Sequence, residues 1–313
     1  MSVAPRDISI VIPTYGREEV LVQTLNQLLS LRVRAGALLV VDQTVKHEIP
    51  TEKRLQEWST DGIIQWIRLK IPSIPKAMNT GLIEAKTNYV LFLDDDIIPV
   101  DNIVSVYAAV MNELSDPGVW CIAGQVRQPG EEELNGEESG GRFLFNSGRR
   151  SFISDVMAGN LCVVRGRALE IGGFDENFMG VAYRFETEFA QRVIRAGGKI
   201  IFEPKASIQH LRIASGGTRT YGNHLTSSSP YHGVGDYYFA LRQGISLKTL
   251  IYMLRRPFRE VMTRFHLRHP WWIPVKFTGE MRAMLLALLL YLRGPRYISP
   301  TISDAEESCK YIS

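Results

Sequence analysis

Cysteine is scarce in this 313-residue chain, and the three present, Cys121, Cys162 and Cys309, lie far apart. No CxxC pair exists, which removes the usual zinc spacing and any disulfide framework. Cys121 and Cys162 stand in apolar runs, as small core residues do, in keeping with a reducing cytosol. A dominant charge is equally lacking. The 36 Lys and Arg residues exceed the 33 Asp and Glu residues by only three, and no basic strip interleaved with aromatics stands out, so nucleic acid is excluded as a partner. No stretch reaches the roughly 20 apolar residues that a membrane span needs. Arg6 and Asp7 interrupt the N-terminus before the apolar core of a secretory leader forms. Two nucleotide loops are missing as well. The segment Pro13-Thr14-Tyr15-Gly16-Arg17 is not GxGxxG, and no GxxxxGK followed by Ser or Thr occurs. Both absences weigh against a nicotinamide or flavin enzyme and against a P-loop hydrolase.

What is present is alternation. Short β-branched runs at 8–12, 37–41, 63–69 and 88–93 predict strands, and the apolar spacing over 20–31 and 75–85 predicts helices between them. Strands alternating with helices imply βαβ units and a mostly parallel sheet flanked by helices, an α/β fold. Further strands are expected at 120–126, 161–164 and 200–203, and a helix at 184–196. The stretch 129–141 is expected to be a surface loop, and 207–231 a loop long enough to be functional. Beyond about residue 233 the chain turns helical and basic, with Trp271, Trp272 and an apolar run at 284–292. Such a segment suits a membrane interface. It equally suits a helix packed on the domain or in a homodimer. The expected division is a catalytic unit at 1–232, with a donor half at about 1–128 and an acceptor half at about 142–232, followed by a helical extension at 233–313.

The fourth strand runs into Asp94, Asp95 and Asp96. Adjacent carboxylates repel, and burying them uncompensated is costly. A hard divalent cation such as Mg²⁺ or Mn²⁺, held by carboxylates and substrate phosphates, is the simplest compensation. The carboxyl ends of parallel strands are also where open α/β sheets bind ligands. At the end of the first strand, Pro13, Thr14, Tyr15 and Arg17 offer a backbone edge, a hydroxyl, a stacking ring and a cation to a nucleotide. Asp42, ending the second strand, is placed to accept from a base N–H or to cap a turn.

An ordered set of segments resembles the family 2 inverting glycosyltransferases of GT-A fold: Ser9-Ile10-Val11-Ile12-Pro13-Thr14-Tyr15, Val40-Val41-Asp42, Lys76-Ala77-Met78-Asn79-Thr80-Gly81-Leu82, Phe92-Leu93-Asp94-Asp95-Asp96, Gly172-Gly173-Phe174-Asp175-Glu176, Glu186-Thr187-Glu188-Phe189 and His210. The resemblance covers about residues 7–212. It implies a Rossmann-type catalytic fold and a nucleoside diphosphate sugar donor, most often UDP-linked. It also implies a divalent cation and a hydroxyl acceptor on a glycan, a lipid-linked glycan or a small molecule. Asp94 to Asp96 match the DxD motif. The resemblance makes Asp96 a metal ligand, turns Asp94 toward the ribose or the metal's water shell, and gives His210 the place that completes the metal shell. Asp95, Lys76 and Asn79 fall on the donor side, and Arg219, after the Gly216-Gly217 pair, is placed to neutralise phosphate. Gly159, Asn160 and Asp175 fall on the acceptor side. The usual Glu-Asp pair that carries the base is absent, and counting back from Arg192 puts Glu186 at the base position with Glu188 in support. A cytoplasmic enzyme working at the inner face of the membrane is the implied setting. A sugar nucleotidyltransferase and a non-catalytic binding protein on the same fold are the rival readings. The first lacks its Gly-rich basic loop here, and the second leaves Asp94, Asp96 and Glu186 without a purpose.

Overall fold

The computed structural model describes residues 2–114, 116–131 and 144–299. Most of the expected surface loop at 129–141, and Cys309, lie outside the described residues. In chain order the elements are β1 (Ile8–Thr14), α1 (Glu19–Leu29), β2 (Ala37–Asp42), α2 (Ile49–Thr60), β3 (Gln65–Arg68), α3 (Ile74–Glu84), β4 (Tyr89–Leu93), β5 (Ile97–Pro99), α4 (Ile103–Leu114) and β6 (Val119–Arg127). There follow β7 (Ser151–Ile153), β8 (Asn160–Val164), α5 (Arg165–Glu170), α6 (Phe185–Arg195), β9 (Lys199–His210), α7 (Val234–Arg242), α8 (Leu247–Val261), α9 (Arg264–Arg268) and α10 (Ile273–Arg293).

All nine strands form one sheet in the order β3-β2-β1-β4-β8-β6-β9-β5, with β7 also on the outer edge of β9. The strands β1, β2, β3, β4, β6 and β9 share one direction, while β5, β7 and β8 run against it. The sheet is therefore mostly parallel, as expected. The central strands β1, β2, β4 and β8 are buried on both faces and read as nearly continuous apolar runs for that reason. Along β1, Val11 points into one core, with Met78 of α3 and Phe189 of α6. Ile10 and Ile12 point into the other, with Leu25 of α1 and Tyr107 of α4. Helix α3 lies so close under β1 that a Cβ on Gly81 would stand 2.4 Å from Val11 Cγ1. That close approach is why the helix carries glycine at this turn.

Two expectations are corrected here. The strand expected at 200–203 continues to His210, past a bulge where Gly124 faces Glu203 and Gln125 faces Ser207. The long loop therefore begins after His210 and not at Ser207. In addition, the short β5, unforeseen from the sequence, leaves the acid cluster at once and pairs antiparallel with the end of β9, Ile97 opposite His210. The C-terminal helices pack on the sheet's helical layer: Tyr237 and Leu241 of α7, Met253 of α8, and Ala283, Ala287 and Leu290 of α10 share the core of Phe174 and Phe189. Residues 294–299 then strap across the Gly172–Glu176 turn, with Ile298 N–H donating to Gly172 O at 2.8 Å and Glu176 N–H donating to Arg296 O at 3.0 Å.

Candidate active site

The carboxyl ends of β1 and β4 open into a cleft of about 400 Å³, lined by Pro13, Thr14, Tyr15, Arg17, Asp94, Asp95, Asp96, Gly159, Glu186 and His210 among others. The acid cluster sits there because the parallel β1 and β4 end side by side. His210 joins it because β5 starts directly after Asp96 and sets Ile97 opposite His210. The result is convergent. His210 Nε2 lies 3.1 Å from Asp96 Oδ1 and 3.7 Å from Asp94 Oδ2. One ligand atom from each of Asp94, Asp96 and His210 falls within 4.8 Å of the others. His210 Nδ1 is held 3.0 Å from Gln128 Oε1, which can only accept. This contact fixes the ring so that Nε2 is turned to the acids, the orientation a metal ligand needs. Two carboxylates and an imidazole fit a Mg²⁺ or Mn²⁺ site.

The middle acid is used differently. Asp95 accepts from Thr14 Oγ1 at 2.7 Å and from Arg17 Nε at 3.1 Å. The Arg17 guanidinium also reaches Asp96 Oδ2 at 3.1 Å and donates to the carbonyls of Ile213 and Ser215. Arg17 is thus a buried strut between the acids and the loop after β9, and Thr14 is its neighbour. The shape of the site rests on small residues. Asp94 N–H donates to Gly159 O at 3.2 Å, and a Cβ on Gly159 would stand 2.2 Å from Asp94 Oδ2.

The electrostatics follow from crowding. Burial pushes the Asp95 carboxyl up to about 7, against the charge of Arg17 and the bond from Thr14, with Asp94 and Asp96 pushing the same way as burial. Burial likewise raises Asp94; His210 opposes it, while the charge of Asp96 adds to it. Burial acts against Asp96 ionisation too, but the hydrogen bond and charge from His210 and the charge of Arg17 outweigh it, so this carboxyl stays below its ordinary value. Across the cleft, Glu186 opens α6. Burial pushes it to about 8, the Ala158 N–H at 2.5 Å pulls it down, and the charges of Asp94 and Asp155 push it further up. A carboxyl poised near neutrality in a cleft is what a general base requires. The segment leading to it is strained: Ala182 and Arg184 both hold left-handed backbone, at φ 50° and 74°.

Other expected site residues lie elsewhere. Glu188 is buried on another side of α6, where Arg192 Nε grips both its oxygens at 2.8 and 2.9 Å and Tyr297 OH donates at 3.1 Å. Burial raises its pKa against the pull of Arg192. Asn79 holds the glycine turn, accepting from Phe174 N at 2.7 Å and donating to Phe174 O at 2.9 Å. Asp175 is enclosed by Tyr238 OH at 2.7 Å and the N–H groups of Asn177 and Arg296, each at 3.0 Å. Asn160 is buried at the β-bulge, bound to Tyr107 OH and to the carbonyls of Gln125 and Ala206. Lys76 is exposed on the first turn of α3, outside the residues lining the cleft. Arg219 falls in a short turn of helix at 217–221, and its side chain lies outside the described residues. Asp42 is buried and engaged by Thr44 N, His47 Nε2 and Trp66 Nε1 at 2.8, 2.8 and 3.0 Å. Burial works against its charge, but His47 and Thr44 prevail and its pKa is lowered.

The sequence reading missed Gln128, Gln43 and Tyr221. Gln43 and Tyr221 line the cleft, and Gln128 orients His210. Only Gln43 carried a signal, as the residue following the strand-ending Asp42.

The family described as glycosyl transferase family 2 matches residues 9–162, the stretch from β1 through β8 that includes the acid cluster. That match spans just under half of the chain. Over 217 residues the chain is 25% identical to the pre-mycofactocin glycosyltransferase of Mycobacterium tuberculosis, covering 66% of this chain and 43% of that protein, so it spans less than half of the relative's length. Solved structures share the fold. S. aureus TarS 1–349 in complex with UDP-GlcNAc superposes with a TM-score of 0.54 at 14% identity, covering 75% of this chain and 65% of that one. The mannosyltransferase PcManGT from Pyrobaculum calidifontis, in complex with GDP-Man and Mn²⁺, gives 0.51 at 14% identity, covering 99% and 82%. The architecture around the family 2 domain is thus that of the GT-A glycosyltransferases.

Proposed function

We propose that this chain is a metal-dependent, inverting glycosyltransferase that moves a sugar from a nucleoside diphosphate sugar, UDP-linked, to an acceptor hydroxyl. The observation that carries the reading is one cleft that holds both halves of the chemistry: Asp94, Asp96 and His210 on one wall and Glu186 on the other. A bound divalent cation there would neutralise charge on the departing diphosphate. Asp94, Asp96 and His210 would hold it. Arg17 fixes Asp95 and Asp96 so that the acids keep their spacing. Glu186 takes the proton of the acceptor hydroxyl as that oxygen attacks the anomeric carbon from the face opposite the diphosphate. The other ligand class in the cleft is the nucleoside, beside the Tyr15 ring and Gln43. The solved relatives carry UDP-GlcNAc in one case and GDP-Man in the other; of the two nucleotides, UDP is the one proposed. The acceptor is a hydroxyl of a glycan or lipid-linked glycan. The buried thiols of Cys121 and Cys162 suit a reducing cytoplasm.

The test is a thermal-shift screen of nucleotide sugars with Mn²⁺ and with chelator, on the full chain and on Asp96→Ala. A donor shift that needs Mn²⁺ in the parent and vanishes in Asp96→Ala is expected. Equal donor shifts with chelator and with Mn²⁺ would overturn the metal role.

A further inference from the structure

The C-terminal helices are built inside out for a protein surface in water. The inward face of α8 carries Arg256, which pairs with Asp236 Oδ2 at 2.9 Å and with Glu280. The inward face of α10 carries Lys276, Glu280 and the small residues Gly279, Ala283 and Ala287. The apolar residues of α8 point the other way: Leu247, Leu250, Ile251, Leu254 and Phe258 are 40–73% exposed. Leu285, Leu288, Leu289 and Leu292 of α10 are 41–72% exposed. An amphipathic helix on a soluble domain turns its apolar stripe to the core; here the core side of α8 and α10 mixes ion pairs with Met253, Val261 and Leu290, and most of the leucines face out.

The two outward stripes belong together. Arg256 meets Glu280, and the rings of Phe258 and Phe277 lie 5.5 Å apart, so residue numbers rise along α8 as they fall along α10 and the helices are antiparallel. At 100° per residue, Leu247, Ile251 and Leu254 project on the Phe258 side of α8, and Leu285, Leu288 and Leu292 on the Phe277 side of α10. Lys248, Arg255 and Arg259, at spacings of seven and four, form a row along one flank of the α8 stripe, and all are exposed. Arg264, Leu267, Arg268 and Trp271 continue the same mixture beyond it. Residues 247–296 hold ten Lys and Arg against two acidic residues, Glu260 and Glu280.

We infer that α8 to α10 form a docking surface for an anionic lipid bilayer, with the leucines and Phe258 in the acyl boundary and the basic row against the headgroups. Large exposed apolar patches mark interaction sites, and an apolar stripe flanked by Lys and Arg is the pattern of an interfacial helix. Charge decides between a bilayer and a second copy of the chain. A second copy of this face would offer the basic row no acidic partner, because Glu280 is buried against Arg256 and Lys276 and Glu260 is paired with Arg259, whereas anionic headgroups complement it. Among the described residues no helix is long and apolar enough to cross a membrane, so the contact is a surface one. This inference does not rest on the transfer reaction, because vesicle binding and donor binding are read separately.

The experiment is flotation of the full chain with vesicles containing phosphatidylglycerol and with vesicles of phosphatidylcholine alone. Flotation with the anionic vesicles, weakened by salt, is expected. The double variant Leu254→Glu, Phe258→Glu should lose it by about tenfold or more while donor shifts persist, and Arg255→Gln with Arg259→Gln should weaken it and reduce its salt dependence. If the double glutamate variant fails to fold, quenching of tryptophan fluorescence by brominated anionic lipid, diminished in Trp271→Phe, reads the same contact. No flotation with the anionic vesicles, equal flotation by the glutamate variant, or a stable dimer in light scattering that this variant converts to monomer would each overturn the inference.

Discussion

The cleft and the C-terminal helical layer both gather charged side chains out of water, yet they balance them differently. In the helical layer Asp236 and Glu280 meet Arg184, Arg256 and Lys276, two acids with three bases. In the cleft Asp94, Asp95 and Asp96 share Arg17 and His210, and Glu186 adds a fourth carboxyl nearby. A cluster whose acids all have bases holds three helices, α7, α8 and α10, together. An unbalanced one still lacks positive charge, and the proposed cation would supply it. The same residue types therefore serve structure in one place and ligand in the other, and the charge count tells them apart.

The sharpest way to break this contrast is Glu186→Gln. Transfer should fall by about 10²–10⁴ with donor affinity unchanged, measured as single-turnover rate against donor titration; a near-normal rate removes Glu186 as the base. The pH dependence sharpens it further. A base works deprotonated, and burial holds Glu186 at about 8, so the rate should climb with pH toward that region. A cation beside Asp94 favours the carboxylate and moves the rise to lower pH; in Glu186→Gln the rise should vanish. Next is Glu280→Ala, which leaves Lys276 buried without its carboxylate and Arg256 with Asp236 alone. About 3–5 kcal/mol of stability should be lost, read by denaturant unfolding, and a negligible loss would mean the network is not what joins α8 to α10. Gly159→Ala is a smaller probe. Its Cβ collides with Asp94, so Mn²⁺-dependent donor affinity should drop by about tenfold, or ~1.4 kcal/mol, with little change in unfolding temperature. The smallest effect is expected from Leu254→Glu, within about 0.5 kcal/mol of parental stability. A large loss there would show that the outward leucines pack against protein after all.

Some of the site was legible beforehand and some was not, for identifiable reasons. The strands ending at Thr14, Asp42 and Leu93 stood out because strands buried on both faces are unbroken β-branched runs, and the acids mark the end of one. Glu186 and Glu188 were paired as partners, yet residues two apart on a helix do not share a face; only Glu186 reaches the cleft. Asn79, Asn160 and Asp175 are enclosed rather than open to the cleft: each is bound by at least one backbone or hydroxyl partner 35 or more positions away. Gln128 had no sequence signal, because its importance lies in its placement against His210.

The sequence by itself determined the α/β class, the acid-bearing strand end, and a basic apolar tail with no run long enough to span a bilayer, since these follow from local periodicity and composition. The tertiary structure alone decided which acids face solvent and which side of the tail is apolar. It brought His210 to Asp96 through an antiparallel pairing between residues over 100 positions apart, and it turned Arg256 inward and Leu254 outward. Burial and charge balance depend on neighbours distant in the chain, and no local pattern records them.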